Sequence, residues 1–273
     1  MRTHTGKDVH AGTRVGGVSK EEMVLRCFLS LVASLQMARK FADMKLYIID
    51  DHSTERCVAW LQKIAESSQI PFEFVALHDS GNCASLKKTY ELAKQTARGL
   101  IYFVEDDYLH FPEAITEMLH AYHEFREKSG GDEIALYPVD EPIVNYEQPE
   151  IEECMLVLGP GRHWRSNTWT TGVHMVSRDV FVKNLELYNL FSNYDTDMQK
   201  YNEEMTINKI WGEGGARLFT PIPTLAFHMH TERHISPYLD WQPRWTSCAL
   251  RPGLNTDGEK RGVIYRGKAS SEV

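Results

Sequence analysis

Apolar residues recur at helical spacing near the start of the chain. Val24, Phe28, Leu31 and Leu35 fall at i, i+4, i+7 and i+11, one buried stripe. Ser19 precedes this stripe as an N-cap, with Glu21 and Glu22 in the first turn where the helix dipole favours them. The pattern then changes to short apolar runs. Lys45–Ile49 predicts a buried strand that ends abruptly in Asp50-Asp51-His52-Ser53, and Ser53 or Thr54 caps a second helix to about Ser67. Phe72–Leu77 predicts the next strand, behind Pro71. A third helix carries Leu86, Tyr90, Ala93 and Ala97 in register and stops at Gly99. Leu100–Val104 predicts a buried strand that runs directly into Glu105-Asp106-Asp107. Pro112 opens a helix over 112–128, and Ile134–Tyr137 gives one more strand. Residues 8–15, before Gly16-Gly17, are the candidate first strand.

Strands alternating with helices predict parallel βαβ units in an open α/β sheet. In such sheets ligands bind beyond the carboxyl ends of the strands, which is where both acidic clusters fall. After about residue 140 the alternation fades. Residues 141–170 read as loop, 178–190 and 200–211 as helices, Arg217–Phe219 and Thr224–Phe227 as short strands, and the tail from 247 as polar. A single domain over 1–246 is expected, divided into halves at 140, with 247–273 as a tail.

Composition narrows the classes. A chain of 273 residues can bury a full core without staples. Its net charge of −8 argues against binding to a nucleic-acid backbone. No apolar run reaches membrane-spanning length, and the first residues lack the apolar core of a secretory signal, so a cytoplasmic location is expected. The five cysteines are scattered and form no CxxC pair, which suggests neither a zinc knuckle nor a disulfide framework.

The acids carry the chemistry. Three adjacent carboxylates at Glu105-Asp106-Asp107 repel one another unless a cation sits among them. A hard divalent ion, Mn²⁺ or Mg²⁺, prefers such oxygen ligands and can bridge a carboxylate to a substrate phosphate. The alternative is a solvated acidic loop. Asp50 and Asp51 suit hydrogen bonds to a ribose or a base N–H, or a helix cap.

Tyr47-Ile48-Ile49-Asp50-Asp51-His52-Ser53-Thr54 resembles the strand end of nucleotide-sugar glycosyltransferases of the GT-A fold, family two especially. Tyr102-Phe103-Val104-Glu105-Asp106-Asp107 resembles their DxD-type metal motif, and Ser80-Gly81-Asn82 with Lys87 the loop and basic residue before it. The resemblance implies a Rossmann-type domain with a mostly parallel central sheet flanked by helices and an irregular acceptor-side second half. It implies that Asp51, with Asp50 near it, binds the nucleotide, as do Arg14 and Lys87. Asp107 would ligate the metal, and Asp106 or Glu105 would contact ribose or metal water. The general base would come from Tyr201-Asn202-Glu203-Glu204, with Glu204 preferred over Glu203 and Asp195 and Asp197 as spares. A late histidine would reach the metal or diphosphate: His228 first, His230 second. Thr171 and Gly172 would approach the sugar, and Trp241 would stack on it, although core packing is the commoner use of such a ring.

The expected activity is metal-dependent transfer of a sugar from a nucleotide-sugar donor to a glycan or other hydroxyl acceptor, with inversion. A sugar-phosphate nucleotidyltransferase and a non-catalytic nucleotide-sugar binding module are the alternatives.

Overall fold

The computed structural model describes residues 1–5, 14–145, 154–212 and 215–249. Three strands form a parallel sheet in the order β1 (Arg2–Thr3), β2 (Leu46–Asp50), β3 (Phe72–Ala76). Six more form a mixed sheet in the order β4 (Leu100–Phe103), β9 (His174–Ser177), β6 (Glu133–Leu136), β10 (Ala216–Ile222), β8 (His163–Asn167), β7 (Leu156–Leu158). The Arg2 amide donates to Val104 O (3.1 Å), linking the two sheets edge to edge. β5 (Tyr108–His110) and β11 (Ala226–His228) pair antiparallel, with His228 opposite Tyr108. The chain is α/β, with its parallel pairings in the first sheet and between β6 and β10.

Four helices flank the first half: α1 (Lys20–Ala38), α2 (Glu55–Ser68), α3 (Asn82–Thr96) and α4 (Ala114–Lys128). α1 begins where Ser19 Oγ accepts from the Glu22 amide (3.2 Å), and α2 where Thr54 Oγ1 accepts from Cys57 (3.1 Å). Val24, Phe28 and Leu31 on α1 are all buried in the main core, as the stripe predicts. A second, smaller cluster of Val15, Met23, Cys27, Leu109, Phe227, Met229, Trp245 and Cys248 packs around the β5–β11 pair. Fully burying a side chain such as Phe227 contributes on the order of 2 kcal/mol. This second core therefore anchors the strand that carries His228.

Several expectations are corrected. A strand lies at Arg2–Thr3; the strand expected over 8–15 falls mostly on residues 6–13, outside the described residues, and Val15–Gly17 is a 3₁₀ turn. β1 pairs only with Ile49 and Asp50, and a cavity of about 1060 Å³ lies beside it between β2 and β4. The stretch read as loop holds β7 and β8. His163-Trp164-Arg165-Ser166-Asn167 is too polar to announce a strand, and it is held by antiparallel pairing to β10, with Trp164 buried. No continuous helix spans 200–211: Asn202 Oδ1 accepts from the Met205 amide (2.9 Å) and Thr206 Oγ1 donates to Asn202 O (2.5 Å). These side-chain bonds replace the helical ladder with turns. The helix expected at 178–190 is broken at Asn184 into Arg178–Lys183 and Leu185–Phe191. The tail from residue 250 lies outside the described residues. Among the described residues, no helix is long and apolar enough to cross a membrane.

Candidate active site

β1, β2 and β4 end side by side, and residues at and just beyond their ends open onto a cleft of about 470 Å³. Its lining includes Arg2, His4, Arg14, Lys20, Asp51, Glu105, Asp106, Asp107 and His230. Asp51 is buried at the end of β2. Its Oδ2 accepts from the Gly81 amide (2.9 Å) and its Oδ1 from His52 Nδ1 (3.0 Å). Asp50 stands outside this lining. Its Oδ1 accepts from Thr3 Oγ1 (3.0 Å) and its Oδ2 from the Ser53 amide (3.3 Å), so it braces the strand end.

The acidic triplet divides. Glu105 pairs with Arg2, whose guanidinium also donates to Asn82 and to Ser85 Oγ (3.3 Å). Asp106 accepts from Lys20 Nζ (2.6 Å) and from the His4 amide (2.9 Å). Asp107 Oδ1 is buried with no hydrogen-bond partner, while its Oδ2 lies 3.7 Å from His228 Nε2. The Met229 amide donates to Asp107 O (2.8 Å), which locks β11 against the triplet.

His228 is buried between two carboxylates. Its Nδ1 meets Glu141 Oε1 at 3.2 Å, and its ring stacks on Tyr108 with centroids 4.6 Å apart and planes 13° apart. Burial disfavours the imidazolium, but Asp107 and Glu141 outweigh it and raise the pKa to about 10. Burial likewise opposes ionisation of Asp107, and the His228 charge overrides it to hold that carboxyl well below the usual range. Glu141 is held down to about 2 against its burial by hydrogen bonds from His228 and His234. Two sets of groups have ligand atoms within 4.8 Å of one another: Asp107, His228 and His230, and Glu141, His228 and His234. The orphaned buried oxygen of Asp107 beside two imidazoles fits a divalent cation.

Arg14 lines the cleft and is nearly buried. Lys87 is exposed on α3 and outside the lining; Arg2, Arg14 and Lys20 are the cations that reach it. Glu204 is exposed, whereas Glu203 is half-buried, with its carboxyl pushed up by burial and by the field of Glu141. The turns after Asn202 present Glu203 inward and leave Glu204 outward. Thr171 Oγ1 bonds the hydroxyls of Tyr108 and Tyr137 behind His228. Gly172 has φ 96°, and a Cβ there would meet the Phe191 ring at 3.4 Å. Trp241 lies outside the cleft lining, against Gly16 and edge-on to Trp245 at 6.0 Å, so its ring is engaged in packing.

Sequence reasoning missed Arg2, His4, Lys20 and Glu141. A two-residue strand carries no hydrophobic signal. Glu141, by contrast, follows the end of β6, and the strand-end rule applied to the other acids would have found it.

Residues 18–137 match the family Glycosyl transferase family 2. The resemblance drawn from the two acidic strand ends therefore holds, and it supports a glycosyl transfer function. The matched stretch contains Asp51 and Asp107 and stops short of Glu141, Glu203 and His228. No curated protein matches the chain. S. aureus TarS shares 11% identity at a TM-score of 0.44, over 80% of this chain and 35% of that one. The crystal structure of S. aureus TarS 1–349 shares 13% at 0.42, over 72% and 57%. A nucleoside-diphosphate-sugar pyrophosphorylase from Vibrio cholerae RC9 shares 15% at 0.41, over 81% and 86%. The chain thus spans about a third of the length of the first, and likenesses of this size carry no functional weight.

Proposed function

We propose that the protein is a metal-dependent glycosyltransferase that moves a sugar from a nucleotide-sugar donor to a hydroxyl of a glycan or other acceptor, with inversion. One observation carries this reading: the orphaned Asp107 oxygen, next to His228 and His230, shares a cleft with Asp51, Arg2, Arg14 and Lys20. The first group suits a cation, and the second suits a nucleotide with its phosphates.

In this reading Asp51 and Arg14 hold the nucleotide, with Asp50 bracing the strand end. Asp106 and Glu105 contact the ribose or metal-bound water. Lys87 acts at longer range. Asp107 and His228 hold Mn²⁺ or Mg²⁺, with His230 beside them. The ion supplies Lewis acidity that neutralises a departing diphosphate. Glu203 takes the proton of the acceptor hydroxyl; its raised pKa and inward placement suit a general base better than the exposed Glu204. Thr171 and Gly172 border the acceptor side. Residues 1–246 act as one unit, 1–140 holding the donor and 141–246 the acceptor. A cytoplasmic location goes with this reading.

The test is a thermal-shift panel of nucleoside diphosphates and nucleotide sugars, each with and without Mn²⁺. A ligand at a hundredfold its Kd adds about 2.7 kcal/mol, a rise of roughly 5–10 °C for a domain of this size. The expected result is a metal-dependent rise with one nucleoside. No shift with any of them would overturn the assignment. Release of pyrophosphate, in place of a nucleoside diphosphate, would point to nucleotidyl transfer.

A further inference from the structure

Glu141 has no part in the reading above, yet it is fully buried and fully engaged. Its Oε2 accepts from the Tyr137 hydroxyl (2.5 Å), and its Oε1 accepts from His228 Nδ1 (3.2 Å) and from His234 Nδ1. An ionised carboxylate in such a place is costly unless it is paired. Here the pairing fixes a ring. His228 cannot turn freely, because Tyr108 stacks on one face and Glu141 holds one edge. The opposite edge, Nε2, then faces Asp107 and lies near His230. An imidazole that gives its Nδ1–H to a carboxylate presents Nε2 as a lone-pair donor once a cation displaces the Nε2 proton.

We infer that Glu141 is a positioning residue that sets His228 with Nε2 toward Asp107, so that Asp107, His228 and His230 form a preformed cation site. The inference rests on the metal reading under Proposed function. It also refines that reading. One carboxylate and two imidazoles favour a first-row transition ion over Mg²⁺, which prefers oxygen.

The test is Mn²⁺ and Mg²⁺ affinity by calorimetry on the full chain, for the wild type, Glu141→Gln and Asp107→Asn. Near-UV circular dichroism checks that each variant is folded. Asp107→Asn is expected to lose Mn²⁺ binding. Glu141→Gln is expected to weaken it about 10- to 100-fold, with a smaller loss for Mg²⁺, so that the preference between the ions narrows. A purely structural role for Glu141 would weaken both ions equally. If Asp107→Asn loses the ion and Glu141→Gln binds like the wild type, the positioning role is overturned and the metal reading survives. If Glu141→Gln loses the ion and Asp107→Asn keeps it, the ion lies on the Glu141–His234 side, and the inference fails. If Asp107→Asn and Glu141→Gln both bind like the wild type, the metal reading itself fails. One measurement needs no variant. In Zn²⁺-loaded wild type, imidazole ¹⁵N spectra should show His228 metallated at Nε2 and protonated at Nδ1; the reverse would overturn the proposal.

Discussion

The two walls of the cleft differ in how their charges are met. On the wall built from β1 and α1, each acid already has a cation from the chain: Arg2 for Glu105 and Lys20 for Asp106. On the side of β11, acids lean on titratable groups or on nothing. Asp107 has an unpartnered oxygen, and Glu203, beyond the residues that line the cleft, carries a raised pKa. A region whose charges are already compensated can receive a ligand without rearranging. A region with an unmet acceptor and a proton-hungry carboxyl has capacity left for chemistry. In the proposed reading, binding goes with the first wall and reaction with the second.

The largest effect that would break this comparison concerns Glu203. General-base catalysis is worth about 10²- to 10⁴-fold, so Glu203→Gln should lower the transfer rate by that much while leaving donor affinity within about twofold. Glu204→Gln should leave both unchanged. Steady-state kinetics with a fixed acceptor, together with donor titration, checks this. A normal rate in Glu203→Gln alongside a slow Glu204→Gln would return the base to the exposed residue, and the second wall would lose half its distinction.

Residue 203 also shows what sequence could and could not tell. The pair of glutamates was visible, but which one turns inward depends on side-chain bonds at Asn202 and Thr206 that no periodicity encodes. In the first half the reverse holds. Val24, Phe28, Leu31 and the run from Lys45 to Ile49 announce α1 and β2 because burial there follows the local period. The strand ends followed, and with them Asp51 and Asp107. β8 and β9 stayed hidden for a different reason. Their strand character comes from neighbours far along the chain, such as Leu218 opposite Asn167 and Phe103 opposite His174. Arg2 was missed because a two-residue strand between two longer ones needs no apolar residues of its own.

A smaller effect asks whether the two walls belong to one folding unit. His110 on β5 and His174 on β9 are fully buried, and burial lowers both to about 3. His110 is satisfied as a neutral ring, donating from Nδ1 to Tyr108 O (2.9 Å) and meeting the Tyr102 hydroxyl at Nε2 (2.7 Å). Between pH 6.5 and 3 the unfolded chain binds protons that the folded one refuses. The stability these two rings contribute is therefore complete above about pH 6.5 and falls below it, by roughly 1.4 kcal/mol per pH unit for each histidine. Urea melts from pH 7 to pH 4.5 should show that loss in a single transition, and His110→Gln should flatten the slope. Two separate transitions would mean that the halves fold independently, and a slope of the opposite sign would contradict the buried neutral rings.

The smallest effect concerns Trp241, which sugar chemistry and packing claim for opposite reasons. The ring rests on Gly16, whose φ of 80° brings the backbone close, and meets Trp245 edge-on in the core that anchors β11. That core lies behind the reacting wall, so loss of the ring should act through stability. Trp241 is only partly buried, and Trp241→Ala should cost about 1–2 kcal/mol, less than a fully buried aromatic would. The acceptor KM should stay within about twofold, because the ring is not among the groups lining the cleft. A fall in melting temperature with unchanged KM would keep Trp241 with the scaffold. A tenfold rise in KM at unchanged melting temperature would place a sugar on its face, and the reacting wall would extend past β11 to the helix Gln242–Ser247.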